Sequence, residues 1–319
     1  MPKALKLKLA VAAGIGSDHL DLDAIEHGVT IAEVTYCNSI SVAEHVVTAI
    51  FSLVRNYIPS WQWVVKGGWN IADCVQRSYD LEGMHVGTVA ARRIGRAVLE
   101  RLKPFDVHLH CMERHRLPAE VEQELGATFH EDVESLVTAC DVITINAPLN
   151  PETRRMFDSE LIGKMKRGAC LVNTARGLIC DRDAVARARE RWLAGYAGDV
   201  WYPQPATEDH PWRSMPHHGM TPHISASSLS AQARSLKARS ELARTLCELA
   251  FRGWCSHIAA ATARRSTRLP RRSPRTSSSP RRTSCSSRRR RPPRLAADFL
   301  LESSSPASQP TSACCSTRW

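Results

Sequence analysis

Three side chains with complementary chemistry lie in the second half of the chain, two of them after predicted strands and the third before a predicted helix. Arg176 comes shortly after the apolar run 170–174, Gln204 follows the run 196–200, and His223 precedes a predicted helix. The carboxyl ends of parallel strands meet at one edge of a sheet, and open α/β sheets bind ligands at that edge. We therefore expect the arginine, the amide and the histidine to converge, with Arg176 placed to hold an anion.

A turn between a predicted strand and a predicted helix has the position of a dinucleotide-binding fingerprint. The fingerprint needs a small residue for the turn, a glycine that lets the backbone approach the pyrophosphate, and a glycine for close helix packing. Those positions hold Ala90, Arg92 and Gly95. Because Arg92 places a Cβ where the pyrophosphate would rest on backbone N–H groups, we expect weakened cofactor affinity. The alternative is that the Arg92 guanidinium itself binds phosphate.

An acid after the next predicted strand bears on the choice of dinucleotide. Glu113 lies 18 residues beyond Gly95, where a carboxylate would bond the adenine ribose hydroxyls and repel a 2′-phosphate. This position favours NAD over NADP. The alternative is that Glu113 is a solvated loop acid beside Arg114.

Short apolar runs alternate with helical patterns from residue 5 to about 252, which predicts an α/β fold with parallel strands joined by helical crossovers. One helix is predicted over 42–54, with Ser39 and Ser41 as candidate caps, and a long one over 228–251. Strands are predicted at 7–12, 29–34, 85–90, 107–112, 142–147, 170–174 and 196–200. The expected architecture is a doubly wound parallel sheet.

The positive charge is confined to the end of the chain. Residues 264–319 contain 14 arginines and two acids, whereas residues 1–263 contain 29 basic and 30 acidic side chains. Segment 256–319 is rich in Arg, Ser and Pro with little to bury, which indicates a disordered tail. Arginine runs bind phosphate without sequence preference, so nucleic-acid binding through this tail is an alternative function.

Cysteine spacing and hydropathy exclude several classes of protein. The eleven cysteines include no CxxC pair and no zinc-type spacing, so we expect reduced thiols, an intracellular protein and no metal site. No apolar run approaches the roughly 18 to 20 residues of a membrane span, so no membrane partner is expected. The His217-His218 pair is not interpreted as a metal site.

Long stretches of the chain resemble NAD-dependent formate dehydrogenases, a branch of the D-2-hydroxyacid dehydrogenase family. The matching stretches include 33–45, 67–70 and 215–223, and the resemblance extends from Leu7 to about Gly253. It implies a Rossmann-type NAD-binding domain at 39–225. It also implies hydride transfer from formate to NAD, giving CO2 and NADH, in a homodimer formed through the helix region 39–56.

The resemblance also implies the roles of individual residues. Formate contacts fall on Ile15, Asn38 and Arg176, and the catalytic set is Arg176, Gln204 and His223. The implied cofactor contacts are Ser39, Arg93, Ile94, Glu113, Pro148, Leu149, Asn150, Pro151, Glu152, Thr174, Asp199, His223, Ile224, Ser225 and Ala226. Taken singly, several have structural alternatives: Asn38 as a turn residue, Arg176 in an ion pair and His223 as a core histidine.

Gln204 distinguishes formate from a hydroxyacid as the substrate. In hydroxyacid relatives a carboxylate beside the histidine raises its pKa, so that it can take the proton of a substrate hydroxyl. Formate has no such proton, and its oxidation needs only positioning and electrostatic stabilisation. The glutamine therefore favours formate, with Arg176 and Asn38 holding the carboxylate, His223 orienting it and Asp199 favouring the cationic nicotinamide.

The sequence departs from the family pattern in several places. Besides Arg92, Asn150 stands where relatives carry a histidine, Ala226 where a glycine is expected, and 190–193 replaces a longer turn. We expect residues 1–38 and 226–255 to form an incomplete, flavodoxin-like substrate domain, which leaves the active site with one wall, little means of excluding water and impaired activity. A catalytically dead scaffold or fragment is the alternative. The expected location is cytoplasmic, or mitochondrial if a targeting segment is missing.

Overall fold

The computed structural model describes residues 9–12, 28–34 and 36–245. Ile15, which we predicted to contact formate, lies outside the described residues. So do segment 246–255 of the predicted substrate domain and the predicted disordered tail 256–319.

The described strands form two parallel sheets. The smaller pairs β1 (Leu9–Ala12) with β2 (Thr30–Glu33). The larger contains β3 (His85–Val89), β4 (His108–Met112), β5 (Thr128–His130), β6 (Val142–Ile145), β7 (Cys170–Asn173), β8 (Gly195–Gly198) and β9 (His218–Met220). Its order is β5-β4-β3-β6-β7-β8-β9, with every neighbouring pair parallel. All carboxyl ends of the seven strands therefore lie along one edge.

Helices cover both faces of the seven-stranded sheet. The described helices are α1 (Ser39–Val54), α2 (Tyr57–Val65), α3 (Ile71–Val75), α4 (Arg93–Leu102), α5 (Ala119–Leu125), α6 (Val133–Ala139), α7 (Ser159–Lys164), α8 (Arg182–Arg191) and α9, which is described over 229–245. Helices α1, α4 and α5 pack on one face, and α6, α7 and α8 on the other. Alternate strand residues point to opposite faces. Val172 of β7 packs with α1 and α4, whereas Leu171 packs with α6, α7 and α8.

The core explains why the central strands are mostly apolar. Every residue of β6, β7 and β8 is buried, as expected for parallel strands covered on both sides. Val46 and Ile50 of α1 and Val98 and Leu99 of α4 are fully buried, and each such side chain contributes about 1.5–3 kcal/mol by leaving water. The predicted α/β doubly wound class is confirmed.

Element boundaries differ from the predictions in specific ways. All seven predicted strands occur. Of the strand predicted at 7–12, residues 9–12 are described and form β1; the other six are shortened or shifted by one or two residues, and β8, for example, ends at Gly198 rather than at residue 200. The edge strands β5 and β9 were not predicted, because three residues are too few to show a pattern. Ser39 and Ser41 are not caps: both lie inside α1, whose N-cap is Asn38.

Four histidines form a row across β3, β4 and β5, under α6. His85 Nδ1 lies 2.8 Å from His110 Nε2, and His110 Nδ1 lies 3.0 Å from His130 Nε2. The His108 ring stacks on His85, with centroids 4.6 Å apart. Burial, together with the neighbouring imidazoles, lowers the pKa of His110 to about 4. His110 is therefore neutral near pH 7.

Within the described ranges, no helix combines the length and apolarity needed to cross a membrane. The same residues contain no group of three or more His, Cys, Asp or Glu side chains arranged to hold a metal ion.

Candidate active site

The loop after β7 is fixed by a buried asparagine. Asn173 is fully buried; its Oδ1 accepts a hydrogen bond from the Ala175 N–H at 3.0 Å, and its Nδ2 donates to the Arg176 carbonyl at 3.0 Å. Arg176 is half-buried, and its Nη1 donates to the Ala175 carbonyl at 2.8 Å. The arginine therefore lies at the carboxyl edge of the sheet on a rigid loop.

Gly177 brings this loop into contact with the loop that follows β8. A Cβ at this position would lie 2.4 Å from the carbonyl carbon of Trp201 and 2.5 Å from its oxygen. Only glycine permits that approach, because both atoms belong to the backbone. The close packing places the Arg176 loop beside the segment that leads to Gln204.

Gln204 and His223 meet as predicted. His223 Nδ1 lies 2.8 Å from Gln204 Nε2 and 3.1 Å from Gln204 Oε1. When the amide Nε2 donates to Nδ1, the imidazole carries its proton on Nε2, where it can donate to an anion. The backbone of His223 is left-handed, with φ of 60°, a conformation that costs of the order of 1–3 kcal/mol in a residue other than glycine.

A buried carboxylate lies at the end of β8. Asp199 is fully buried, and accepts hydrogen bonds from Thr221 Oγ1 at 2.6 Å, the Ile224 N–H at 2.7 Å and the Ser225 N–H at 2.7 Å. Burial alone would raise the pKa of Asp199, but hydrogen bonds from Ser225, Thr221 and Ile224 outweigh it and lower the pKa. Asp199 is thus an anion near neutral pH, suited to a cationic ring.

Thr221 links several parts of this edge and was missed from the sequence. Its hydroxyl donates to Asp199 and lies 3.2 Å from His45 Nε2, so the imidazole donates to the hydroxyl oxygen. Its carbonyl accepts from the Trp201 indole at 2.8 Å. Asn173 and Gly177 were also missed; the signal available for Asn173 was an amide in an otherwise apolar strand.

Three buried polar atoms near this edge have no hydrogen-bond partner within the described part of the chain: Asn38 Oδ1, Ser39 Oγ and Thr174 Oγ1. Asn38 and Ser39 begin α1, and Thr174 follows β7. A buried polar group left unpaired costs about 1–3 kcal/mol, so such groups are commonly paired by a ligand or water. A bound substrate and cofactor would supply hydrogen-bond partners for these three atoms.

The turn after β3 holds the third fingerprint glycine as predicted. A Cβ on Gly95 would lie 2.1 Å from the Ala90 carbonyl oxygen, so only glycine lets α4 begin this close to the strand. Ala90 has φ of 70°. Arg92 is the N-cap of α4 and forms an ion pair with Glu113 at 3.6 Å. Glu113 follows the last residue of β4 and accepts the Ala91 N–H at 3.0 Å.

The neighbouring side chains of α4 lie between the two sheets. The Arg93 guanidinium lies 3.7 Å from Glu33 of β2 and stacks over the Tyr36 ring at 4.4 Å. Ile94 packs against the core that α1 and α4 share. Arg93 therefore connects the start of α4 to the smaller sheet.

The loop 148–152 is held by its own hydrogen bonds. Asn150 Oδ1 accepts the Thr153 N–H at 2.8 Å, and the Thr153 hydroxyl donates to the Pro148 carbonyl at 2.7 Å. Glu152 pairs with Arg114 at 3.6 Å. Leu149 packs on the core, Pro151 and Ile224 are exposed, and Ala226 is half-buried. The Asn150 side chain thus shapes this loop.

Comparison with known proteins agrees with this geometry. Residues 47–225 match the model of the D-isomer specific 2-hydroxyacid dehydrogenase, NAD binding domain. Formate dehydrogenase of Pseudomonas sp. (strain 101) is 67% identical over 228 residues, which are 71% of this chain and 57% of that protein. The mitochondrial formate dehydrogenase of Hordeum vulgare is 52% identical over 228 residues, 71% of this chain and 60% of its own length.

A solved structure is also similar to this chain. NAD-dependent formate dehydrogenase from Staphylococcus aureus, in complex with NAD, superposes with a TM-score of 0.70 at 43% identity, covering 77% of this chain and 73% of that one. This chain spans less than two thirds of the curated relatives described above. The matched region includes both the fingerprint turn and the Arg176 edge. The chain belongs to the D-isomer-specific 2-hydroxyacid dehydrogenase family, and residues 47–225 carry its NAD-binding domain.

Proposed function

We propose that this chain carries the active site of an NAD-dependent formate dehydrogenase. The observation that supports this most directly is the contact between Gln204 and His223 at 2.8 Å. An amide in this place cannot hold the imidazole in the cationic, acid-base form that a hydroxyacid substrate needs, whereas it can fix the tautomer that orients an anion.

Arg176, Asn38 and His223 would hold formate. The paired N–H donors of the guanidinium match the two carboxylate oxygens, and the imidazole Nε2–H supplies a further donor. As the formate C–H bond breaks, its electron pair leaves with hydrogen as hydride, and neutral CO2 remains. These residues need move no proton, because they act by positioning the substrate.

The buried unpaired atoms and the Asp199 anion fit the nicotinamide half of the cofactor. Ser39 and Thr174 would line it, and Asp199 would hold the carboxamide and stabilise the positive ring. Bound NAD would supply the electrophilic carbon that accepts the hydride. Glu113 would face the adenine ribose, while Arg93, Ile94, the loop 148–152 and residues 223–226 would complete the cofactor contacts.

We also propose the domain division expected from the sequence: an NAD-binding domain at 39–225, and parts of a substrate domain at 1–38 and 226–255. The separation of β1 and β2 into their own sheet supports this division. Nothing among the similar proteins supports the alternative of a dead scaffold that binds nucleic acid.

A homodimer formed near α1 is a further proposal. α1 buries seven residues within its own subunit, but α2, which follows it, buries none and exposes Tyr57, Trp61, Trp63, Val64 and Val65. Large exposed apolar patches commonly mark interfaces. Sedimentation of the purified chain should show a dimer, and a monomer at every concentration would refute the proposal. We keep the cytoplasm as the proposed location, and the mitochondrion as its alternative.

Turnover assays test the proposed reaction. The full chain with NAD should form NADH from formate, but not from D-glycerate or D-lactate. Gln204→Glu should reduce formate turnover, because a carboxylate would favour the imidazolium and its acid-base chemistry. Gln123→Glu, an exposed change in α5, is the matched control. NADH formation from glycerate with none from formate would refute the assignment.

A further inference from the structure

The adenosine end of the proposed cofactor site has an unusual balance of charge. Arg92 Nε lies 3.6 Å from Glu113 Oε1, and the Arg92 side chain is 66% exposed while that of Glu113 is 9% exposed. Arg114, the next residue, is 68% exposed. One largely exposed guanidinium, that of Arg92, therefore faces the nearly buried Glu113 carboxylate, and a second, that of Arg114, faces Glu152 on the neighbouring loop.

The contact with Arg92 changes how Glu113 can interact with the ribose of a bound dinucleotide. A free carboxylate at the end of the second strand accepts hydrogen bonds from the ribose hydroxyls and repels a 2′-phosphate. Here Oε2 already accepts the Ala91 N–H at 3.0 Å, and Oε1 faces Arg92. The guanidinium compensates the negative charge of Glu113, and the repulsion that selects against a 2′-phosphate is reduced.

Arg92 also provides the positive charge and the hydrogen-bond donors that bind a phosphate. A guanidinium presents several N–H donors in a planar fork and binds phosphate oxygens in pairs. The Arg92 contact with Glu113 is long, and the Arg92 side chain is largely exposed, so solvent screens the pair. The Arg92 side chain can therefore turn to a phosphate at the same place, while Glu113 keeps its hydrogen bond from the Ala91 N–H.

We propose that Arg92 forms a subsite for the 2′-phosphate of NADP, with Arg114 as a weaker contributor, so that the chain binds NADP as well as NAD. Arg92 is then a residue that determines cofactor specificity. The inference rests on the proposed cofactor site, and extends it to a second dinucleotide.

Two adenosine fragments that differ only in the 2′-phosphate test this subsite. Calorimetric titration of the full chain compares adenosine 2′,5′-bisphosphate with 5′-AMP. The wild type should bind the bisphosphate at least as tightly as AMP. Arg92→Ala, which keeps the Cβ but removes the guanidinium, should reduce the ratio of the two affinities tenfold or more, since charge-assisted hydrogen bonds are lost. Both fragments share the 5′-phosphate, so the ratio cancels any change at the pyrophosphate turn.

Two further variants make the result specific. Arg114→Ala should reduce the ratio less than Arg92→Ala. Arg167→Ala, an exposed arginine just before β7 at the opposite edge of the sheet, should leave it unchanged. An equal ratio in wild type and Arg92→Ala, or a wild type that prefers AMP, overturns the subsite alone. Failure of the wild type to bind either fragment would overturn the cofactor site as well. Circular dichroism confirms that each variant is folded.

Discussion

The two ends of the proposed cofactor site are built differently. At the carboxyl ends of β7 and β8, Asn173 and Asp199 are fully buried and bonded to the backbone at 2.7–3.0 Å. At the other end, Arg92 at the start of α4 and Arg114 after β4 are 66% and 68% exposed, and their ion pairs with Glu113 and Glu152 are 3.6 Å long. One end is fixed by buried hydrogen bonds, and the other carries two largely solvated guanidinium groups.

This difference has an energetic consequence. Removing one partner of a buried hydrogen bond leaves the other desolvated and unpaired, which costs about 1–3 kcal/mol. Exposed ion pairs contribute about 0–1 kcal/mol. Substitutions at the β7–β8 end should therefore affect stability and activity strongly, whereas those at the β4 end should change ligand preference with little effect on the fold.

The largest effect is expected for Gly177→Ala. Its Cβ would lie 2.4 Å from the Trp201 carbonyl carbon, so the loops carrying Arg176 and Gln204 must separate. A displacement of about 1 Å can reduce turnover by about 100-fold, and the forced packing should cost about 1–3 kcal/mol in unfolding free energy. NADH formation and thermal unfolding measure the two effects.

Gly163→Ala is the control for that variant. Gly163 lies in α7, and a Cβ there would meet nothing within 4 Å. This substitution should stabilise the helix by about 0.5–1 kcal/mol, because alanine loses less backbone entropy than glycine. Equal activity of the two variants would show that the contact between the two loops does not position the site.

Arg176→Lys should have the next largest effect. The ammonium group keeps the charge but cannot make paired, planar hydrogen bonds to a carboxylate. We expect kcat/KM for formate to fall about 100-fold, in the range seen when one positioned donor is lost, while the affinity for NAD stays within about twofold. An equal loss in NAD affinity would mean that Arg176 supports the loop rather than the substrate.

Sequence reasoning found residues that act through their chemistry and missed those that act through packing. The contact of Gln204 with His223 was predicted because both residue types have a defined role in the family. Gly177 was not singled out, because its requirement comes from Trp201, a residue 24 positions away in the chain. Thr221 was not singled out either, since its links to Asp199 and His45 depend on the folded arrangement.

At the adenosine end, too, the sequence predicted the positions of residues but not their contacts in the fold. The sequence placed Arg92 at the fingerprint turn and Glu113 after the next strand, but not in contact with each other, because that contact depends on the pairing of β3 with β4. The histidine row was also not foreseen. It depends on register, which sets His85 opposite His108 and leaves Gly87, without a side chain, opposite His110.

Thr221→Val tests the network around Asp199. The valine keeps the shape but removes the hydroxyl that donates to Asp199 at 2.6 Å. The pKa of Asp199 should rise towards its ordinary value, and the NAD affinity should fall about tenfold, as expected for one hydrogen bond to a charged group. Thr221→Ser should retain most of the affinity. Equal affinities of the valine and serine variants, measured by quenching of tryptophan fluorescence, would contradict this role.

His110 should make the stability of the β4 region sensitive to acid. Its folded pKa is lowered to about 4, whereas an unfolded histidine titrates near 6.5. Below about pH 6.5 the unfolded chain therefore binds a proton that the folded chain does not. The contribution of neutral His110 to the unfolding free energy is fully present above pH 6.5 and is lost as the pH falls towards 4. Urea unfolding should show a slope of up to about 1.4 kcal/mol per pH unit that His110→Gln lacks.

The smallest effect is expected for Arg114→Ala. Its ion pair with Glu152 joins two side chains that are 68% and 72% exposed at 3.6 Å, so its loss should change the unfolding free energy by less than about 0.5 kcal/mol. Thermal unfolding at low and high salt checks this. A larger destabilisation that disappears at high salt would show that the charges at the end of β4 support the fold. The contrast between the two ends would then be one of degree, because both would contribute to stability as well as to binding.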